Sequence, residues 1–262
     1  MDTEERVSTT QQRDDNSTLQ PIKILVIQPD DRAPLGRFSD WLADYGAEVT
    51  VIQPFAGDQI SADVAADGLI VLGGTMHFDD VEHFPWLTDI SALYRQAAAA
   101  NIPTLGICLG AQLLADAFGG KVTVKSSEGP ETGVVEIAQT VEGANDPIMD
   151  GLPGSFRATA FHYDGITDLP AGSVLLGTGE RYPNQIFRYG NAVGLQFHPE
   201  ATPELFQNWC AGDSASKPEL TEFFDEQHRE LEEADDEIAA QVYKFAQNFV
   251  RQLQAAPQMQ RN

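Results

Sequence analysis

A strand, a sharp turn and a helix meet at Cys108, and this stretch constrains the fold more than any other part of the chain. The apolar run over residues 102–107 predicts a buried strand, and the run over residues 109–118 predicts a helix. Residues 106–110 form Gly-x-Cys-x-Gly, the nucleophile-elbow pattern with cysteine in place of serine. The two glycines leave room for the turn because they lack a Cβ atom. We therefore predict that Cys108 is exposed above the end of a strand.

Two interpretations of Cys108 follow from these surroundings. The N-terminus of the predicted helix favours a thiolate over a thiol, which would make Cys108 a nucleophile. The alternative is a buried, unreactive cysteine beside two ordinary turn glycines, since so short a pattern also occurs by chance. The local sequence leaves both interpretations open.

Strand and helix patterns alternate around this turn. Strands are predicted over residues 21–28, 48–53, 67–74 and 102–107, and helices over residues 35–45, 85–100 and 109–118. This alternation is typical of a doubly wound α/β fold with a mostly parallel sheet and flanking helices. Ligands bind such sheets at the carboxyl ends of the strands. Gly73, Gly74 and Cys108 all follow predicted strands, so we expect them to share one cleft.

The second half of the chain has shorter and more varied patterns. Short strands, which suit an antiparallel extension of the sheet, are predicted over residues 122–124, 133–137, 157–161, 173–176, 185–189 and 192–196. They are followed by a short helix (203–209), an acidic insertion (about 211–237) that opens with a polar linker (211–217), and a C-terminal helix (238–254). That helix is expected to pack on the sheet, with binding of a partner as the alternative. We expect one domain over residues 21–254, a disordered tail over residues 1–20 and a short tail over residues 255–262.

Composition argues against several classes of function. With 40 acidic and 16 basic residues, the net charge of −24 argues against nucleic acid as a partner. No apolar run is long enough to cross a bilayer, so no membrane association is expected. Two cysteines without a secretory signal predict a reducing, cytoplasmic location. We expect no metal or other cofactor, since neither the cysteines nor His77, Glu82 and His83 have the spacing of known metal ligands.

A histidine suited to assist Cys108 lies 90 residues further along the chain. His198 follows an apolar strand pattern, and a thiolate nucleophile needs such a group to protonate its leaving group. Glu200 lies two residues on, and residues i and i+2 of an extended segment project to the same side, so its carboxylate can orient the imidazole. Taken alone, His198 would be a surface residue and Glu200 a solvated charge. Together with the turn at Cys108, they predict a Cys-His-Glu triad.

These stretches resemble a known family, the class I (triad) glutamine amidotransferases. Order and spacing match over residues 22–206, and the similarity is carried by residues 105–112 (LGICLGAQ), residues 194–200 (GLQFHPE) and the pair Gly73-Gly74. Residues 85–87 and 161–164 resemble the stand-alone group that is similar to the amidotransferase domain of GMP synthase. The resemblance implies a flavodoxin-like fold and an enzyme that acts without a cofactor.

The resemblance also implies roles for individual residues. Cys108 would attack the side-chain amide of glutamine, and His198 would protonate the departing ammonia and then activate water to hydrolyse the thioester. Glu200 would hold the imidazole in the required tautomer. An oxyanion hole would be formed by the backbone N–H groups of Gly74 and Leu109. The substrate-binding residues implied are Gly73, Gln112, His162, Tyr163 and Asp164.

Thr75 follows Gly73-Gly74 at a position where members of this family often have proline. Because threonine lacks proline's fixed φ, we expect a less rigid turn that a partner would order. Three functions remain open: a glutaminase that passes ammonia to a separate synthase subunit, a stand-alone hydrolase of γ-glutamyl compounds, and a non-catalytic binding protein. The intact triad makes the third the least expected.

Overall fold

The computed structural model describes residues 21–61 and 64–259. The tail predicted over residues 1–20 lies outside the described residues. The strands are β1 (Ile22–Ile27), β2 (Ala47–Ile52), β3 (Gly68–Val71), β4 (Thr104–Ile107), β5 (Lys121–Thr123), β6 (Glu131–Gln139), β7 (Ser155–His162), β8 (Gly165–Asp168), β9 (Val174–Thr178), β10 (Ile186–Tyr189) and β11 (Ala192–Leu195). The helices are α1 (Phe38–Asp44), α2 (Trp86–Ala99), α3 (Leu109–Ala117), α4 (Pro203–Ser216) and α5 (Thr221–Met259).

The main sheet has a parallel half and an antiparallel half. Its strand order is β2-β1-β3-β4-β11-β10-β9-β6-β7, and the first five strands are parallel to one another. Every residue of β3 and β4 is buried, which explains why these strands are continuous apolar runs. The predicted doubly wound, mostly parallel sheet with flanking helices and an antiparallel extension is confirmed.

Strand β11 joins the two halves of the sheet. It pairs in parallel with β4 and antiparallel with β10, so it brings a late part of the chain next to the strand that precedes Cys108. The strand predicted over residues 122–124 does not extend this sheet. It is β5, which follows α3 directly and pairs with β8 in a separate two-stranded sheet. The sequence pattern does not predict β8, whose last two residues are exposed.

The C-terminal third differs from the sequence prediction. Helix α4 continues to Ser216 through the stretch predicted as a linker, and α5 begins at Thr221, within the acidic stretch. Apolar positions at helical spacing continue upstream of Ile238, and they are occupied by Phe224, Leu231 and Ala234. The acidic residues between them occupy the other face of the same helix. The short tail predicted from residue 255 is helical as far as Met259, and residues 260–262 lie outside the described part.

Helix α5 packs on the antiparallel half of the sheet and against α1 and α4. Among the residues of this helix whose side chains the structure describes, ten apolar ones are buried: Phe224, Leu231, Ala234, Ile238, Val242, Phe245, Ala246, Phe249, Val250 and Leu253. Polar side chains add specific contacts, and Gln227 both donates to the backbone of Thr132 and accepts from its hydroxyl. Within residues 21–61 and 64–259, no helix combines the length and the hydrophobicity that crossing a membrane requires.

Truncation of Phe245 is expected to destabilise the fold. Its ring is fully buried and lies 5.7 Å from the ring of Phe197 and 5.9 Å from that of Phe156. Phe245→Ala should lower the free energy of unfolding by about 3–5 kcal/mol, because it leaves a cavity between helix and sheet. Urea unfolding measures the loss. Phe223→Ala on the same helix is the matched control: Phe223 is 47% exposed, so a similar loss there would contradict the assigned helix face.

Candidate active site

Cys108 occupies a strained turn between β4 and α3. Its backbone has φ 50° and ψ −107°, a conformation that residues other than glycine rarely adopt. A Cβ atom at Gly110 would lie 2.2 Å from the carbonyl oxygen of Val71, and one at Gly106 would lie 2.7 Å from that of Gly110. Both glycines are therefore required by close backbone packing. Cys108 is 5% exposed and lies at the base of a cleft, so it is less exposed than predicted.

His198 and Glu200 follow β11, the strand next to β4. The Nδ1 atom of His198 lies 2.7 Å from Oε1 of Glu200, and both side chains are buried. The backbone N–H of His198 donates to the carbonyl of Thr159 in β7 at 2.7 Å. The imidazole and the carboxylate are in contact, as expected, but the backbone conformation that brings them together is different. Glu200 lies in a turn and not in an extended segment.

The ring of His198 also interacts with the side chain of Cys108. Burial disfavours the charged imidazole, but the interactions with Glu200 and Cys108 outweigh this effect and raise the pKa of His198 to about 10. At neutral pH, the ring is therefore an imidazolium in contact with both side chains. The ring of Trp209 packs on it at a centroid distance of 4.6 Å.

The turn after β3 lies beside this pair. A Cβ atom at Gly73 would be 2.9 Å from Cε1 of His198 and 3.7 Å from Cβ of Cys108. The predicted proximity of the Gly73-Gly74 turn to Cys108 is therefore present. Leu109 is the first residue of α3, where backbone N–H groups have no partner within the helix. Gly74 and Leu109, the residues predicted to form an oxyanion hole, are close together, since a Cβ atom at Gly74 would lie 2.8 Å from Cδ2 of Leu109.

Gln112 and residues 162–164 form another part of the cleft, whose volume is about 250 Å³. The Nε2 group of Gln112 donates to the carbonyl of Asp164 at 3.2 Å. Nδ1 of His162 lies 2.9 Å from the same carbonyl, and its Nε2 lies 3.0 Å from the carboxylate of Glu131. These contacts hold the segment in a fixed position. Gly74, Gln112, His162, Tyr163 and Asp164 all line the cleft, while Gly73 is close to the side chains of Cys108 and His198 without lining it.

A sequence profile described as glutamine amidotransferase class-I matches residues 38–211, more than half of the chain. The chain belongs to this family. The match contains Cys108, His198 and Glu200, together with the cleft residues predicted for substrate binding.

Individual relatives of this class-I amidotransferase include proteins named for GMP synthesis. A glutamine-hydrolyzing GMP synthase subunit from Natronomonas pharaonis is 31% identical over 182 residues, which cover 66% of this chain and 89% of that protein. A glutamine-hydrolyzing GMP synthase of Thermosipho melanesiensis is 34% identical over 119 residues, which cover only 22% of its length. Among solved structures, a glutamine amidotransferase from Thermotoga maritima aligns with a TM-score of 0.77 and 27% identity, covering 88% of this chain and 97% of that one.

Several residues that line the cleft of this amidotransferase were not predicted. They are Arg32, Lys125, Trp209, Asp213 and Lys217. Asp213 and Lys217 belong to the stretch predicted as a linker and lie beyond the matched residues. Asp213 accepts a hydrogen bond from the hydroxyl of Tyr163, and Nζ of Lys217 lies 4.8 Å from the centre of the same ring. The apolar spacing of Trp209 in α4 is the one sequence signal that could have placed any of them near the core.

The structure also places two histidines and the second cysteine that the sequence analysis considered. His77 lines the cleft, with Nδ1 2.7 Å from the carboxylate of Asp164, whereas His83 is exposed and pairs with Asp80. In the part of the chain that the structure describes, no three His, Cys, Asp or Glu side chains are grouped so as to hold a metal ion. Cys210 is buried; this burial, together with the nearby charge of Asp213, raises its pKa to about 12, so it is an unreactive thiol.

Proposed function

We propose that this chain hydrolyses the side-chain amide of glutamine through a thioester on Cys108 and supplies the ammonia to a separate acceptor enzyme. The observation that carries this proposal is that His198 contacts both Cys108, beside it in the cleft, and the buried carboxylate of Glu200. Membership of the glutamine amidotransferase family supports the choice of substrate.

In the first step, a sulfur electron pair of the Cys108 thiolate forms a bond to the amide carbon of glutamine. The carbonyl oxygen becomes negatively charged, and the N–H groups of Leu109 and Gly74 stabilise it. The imidazolium of His198 gives its proton to the amide nitrogen as the carbon–nitrogen bond breaks, so ammonia leaves and a thioester remains. The raised pKa of His198 supports this step, because the proton is already in place at neutral pH.

In the second step, neutral His198 takes a proton from water while the resulting hydroxide attacks the thioester carbon. The carbon–sulfur bond breaks, glutamate leaves, and the thiolate and imidazolium are restored together. Glu200 stabilises the imidazolium in both steps and fixes the ring through Nδ1. The water supplies the hydroxyl group of the new carboxylic acid, which then loses its proton to the solvent, and the proton on His198.

Glutamine would bind with its side chain directed toward Cys108 and its α-amino and α-carboxylate groups at the cleft wall. Gln112 and residues 162–164 are positioned for these contacts, because they line the cleft and are connected to one another by hydrogen bonds. Truncation of Gln112 would therefore raise KM more than it lowers kcat.

The proposed acceptor is a separate synthase subunit. Two observations support it: one relative is named as a subunit of GMP synthase, and another GMP synthase is matched over only 22% of its length.

A second candidate function is hydrolysis of γ-glutamyl peptides by the same thioester chemistry. The observation in its favour is that Arg32, Lys125 and Lys217 line the cleft of a chain whose net charge is −24. Cations at this position could receive the carboxylate of an amino acid attached to the γ-glutamyl group.

One experiment separates the two functions. Ammonia release from glutamine and amino-acid release from γ-glutamyl dipeptides are measured with the purified chain, with and without fractionated cell extract, and with Cys108→Ala as the blank. Weak glutaminase activity that rises at least about tenfold with extract would support the amidotransferase. High turnover of a dipeptide, unchanged by extract, would establish the second function, and no turnover of either substrate would contradict both.

A further inference from the structure

The turn that carries the proposed oxyanion donor Gly74 is attached to a carboxylate. The backbone N–H of Thr75 donates to Oδ2 of Asp30 at 2.9 Å, and the hydroxyl of Thr75 donates to the same oxygen. The two residues are 45 positions apart, and Asp30 is only 7% exposed. Both donors of Thr75 are therefore used to connect the end of the β3 segment to the end of the β1 segment.

Asp30 is itself held in place. Its second oxygen, Oδ1, accepts from the backbone N–H of Arg32 at 2.9 Å. Its carbonyl accepts from Nε2 of Gln28 at 3.0 Å and from the backbone N–H of Ala33 at 3.2 Å. Burial raises the pKa of Asp30, but the hydrogen bonds from Thr75 and Arg32 outweigh that effect and leave the pKa below its ordinary value. A carboxylate with fixed partners is thus present at neutral pH.

The geometry connects this contact to Gly74. A Cβ atom at Gly74 would lie 3.4 Å from Cβ of Asp30 and 2.8 Å from Cδ2 of Leu109, so the turn is confined between the two residues. Glycine has the greatest backbone freedom of any residue, so the peptide between Gly73 and Gly74, which carries the N–H of Gly74, could rotate. The hydrogen bond from the N–H of Thr75 to Asp30 fixes the next peptide, between Gly74 and Thr75. Gly74 is then held on its carboxyl side and packed against Leu109, which restrains rotation about its φ and ψ and so the direction of its N–H.

We infer that Asp30 is a positioning residue, which aligns the N–H of Gly74 for the oxyanion by holding Thr75. This inference rests on the proposed glutamine hydrolysis. It also changes the expectation for position 75: a proline would stiffen the turn through its ring but has no N–H, whereas threonine stiffens it through two hydrogen bonds to Asp30.

Asp30→Ala should lower kcat for glutamine by about 10²–10³-fold, the cost of misaligning one oxyanion donor, while KM changes little. Alkylation of Cys108 by iodoacetamide should keep its wild-type rate, because that reaction develops no oxyanion. Asp40→Asn, which removes an exposed carboxylate on α1, is the control and should leave kcat unchanged. A kcat that is unchanged in Asp30→Ala, or a loss of iodoacetamide reactivity that parallels the loss of kcat, would overturn the inference.

A second substitution tests the mechanism by rescue. In the Asp30→Ala background, Thr75→Pro removes the N–H that has lost its partner and restores a fixed φ at that position. We expect kcat of this double variant to be at least about tenfold higher than kcat of Asp30→Ala. Thr75→Ser in the wild-type background keeps both donors, so its kcat should stay well above that of Asp30→Ala, whereas a loss as large as that of Asp30→Ala would overturn the role of the hydrogen bonds.

Hydrogen exchange provides a readout that does not depend on turnover. In Asp30→Ala, which removes the acceptor, the amide of Thr75, followed in the peptide over residues 73–84, should exchange at least about tenfold faster than in the wild-type chain or in Asp40→Asn. Unchanged exchange would overturn the role of Asp30 whether or not the chain hydrolyses glutamine. Absence of glutaminase activity in the wild-type chain, combined with faster exchange in Asp30→Ala, would contradict the proposed function and not the attachment of the turn.

Discussion

Replacement of Cys108 by alanine is expected to abolish glutamine hydrolysis, with a loss of about 10⁴-fold or more, while the chain still folds. No thioester can form without the sulfur, and neither His198 nor the oxyanion donors can replace it. Alanine keeps the Cβ atom and adds no bulk at a side chain that is 5% exposed. Steady-state ammonia release measures the activity, and urea unfolding checks that the variant retains its stability.

Covalent labelling tests the same assignment from the substrate side. A diazo-ketone analogue of glutamine should modify Cys108 and spare Cys210, because the latter is buried with a pKa raised to about 12 and does not line the cleft. Peptide mass mapping identifies the labelled cysteine. Cys210→Ala serves as the matched control and should be labelled and turn over like the wild-type chain. Label on Cys210, with Cys108 unmodified, would refute the assignment.

Replacement of His198 by alanine is expected to reduce turnover by about 10²–10⁴-fold, the usual contribution of general acid–base catalysis. The variant loses the proton donor for ammonia and the base for water in one change. It also leaves Cys108 without the imidazolium that faces it. Rapid-quench measurement of thioester formation and hydrolysis should find both steps slower, and a defect in only one of them would contradict a shared role.

Glu200→Gln should be less damaging than His198→Ala, because glutamine can still accept a hydrogen bond from Nδ1. The pH profile distinguishes the loss of charge from the loss of contact. Since Glu200 is one of the charges that raise the pKa of His198 to about 10, its neutralisation should lower that pKa. The imidazolium is then lost at a lower pH, so the alkaline limit of kcat/KM moves downward. A defect as large as that of His198→Ala would require a more direct role for Glu200.

Much of the parallel half of the fold could be predicted, because its strands are buried on both faces. Strands β3 and β4 contain only buried residues, so they are recognisable as short apolar runs that end at Gly73 and Cys108. The positions of Cys108, His198 and Glu200 at the ends of adjacent strands follow from the same rule. Their contact could be anticipated from residue types and order alone.

The remaining parts depend on contacts between distant segments. Asp30 has no local pattern that connects it with Thr75, because the hydrogen bond spans 45 positions and forms only after β1 and β3 pair. The start of α5 is hard to predict because acidic residues on its exposed face obscure the wide spacing of Phe224, Leu231 and Ala234. Asp213 is also hard to recognise from the sequence, because its contact is with Tyr163, 50 positions earlier between β7 and β8.

The pairing of β4 with β11 also determines when, during protein synthesis, Cys108 and His198 are brought together. Cys108 emerges from the ribosome well before His198, and the parallel strands up to α3 can begin to associate without β11. Until β11 inserts, with the N–H of Cys108 donating to the carbonyl of Leu195 at 2.8 Å, the cysteine lacks its imidazolium partner. Nascent and incompletely folded chains therefore contain Cys108 without the neighbours that the proposed reaction needs, and should not react with the diazo-ketone analogue of glutamine.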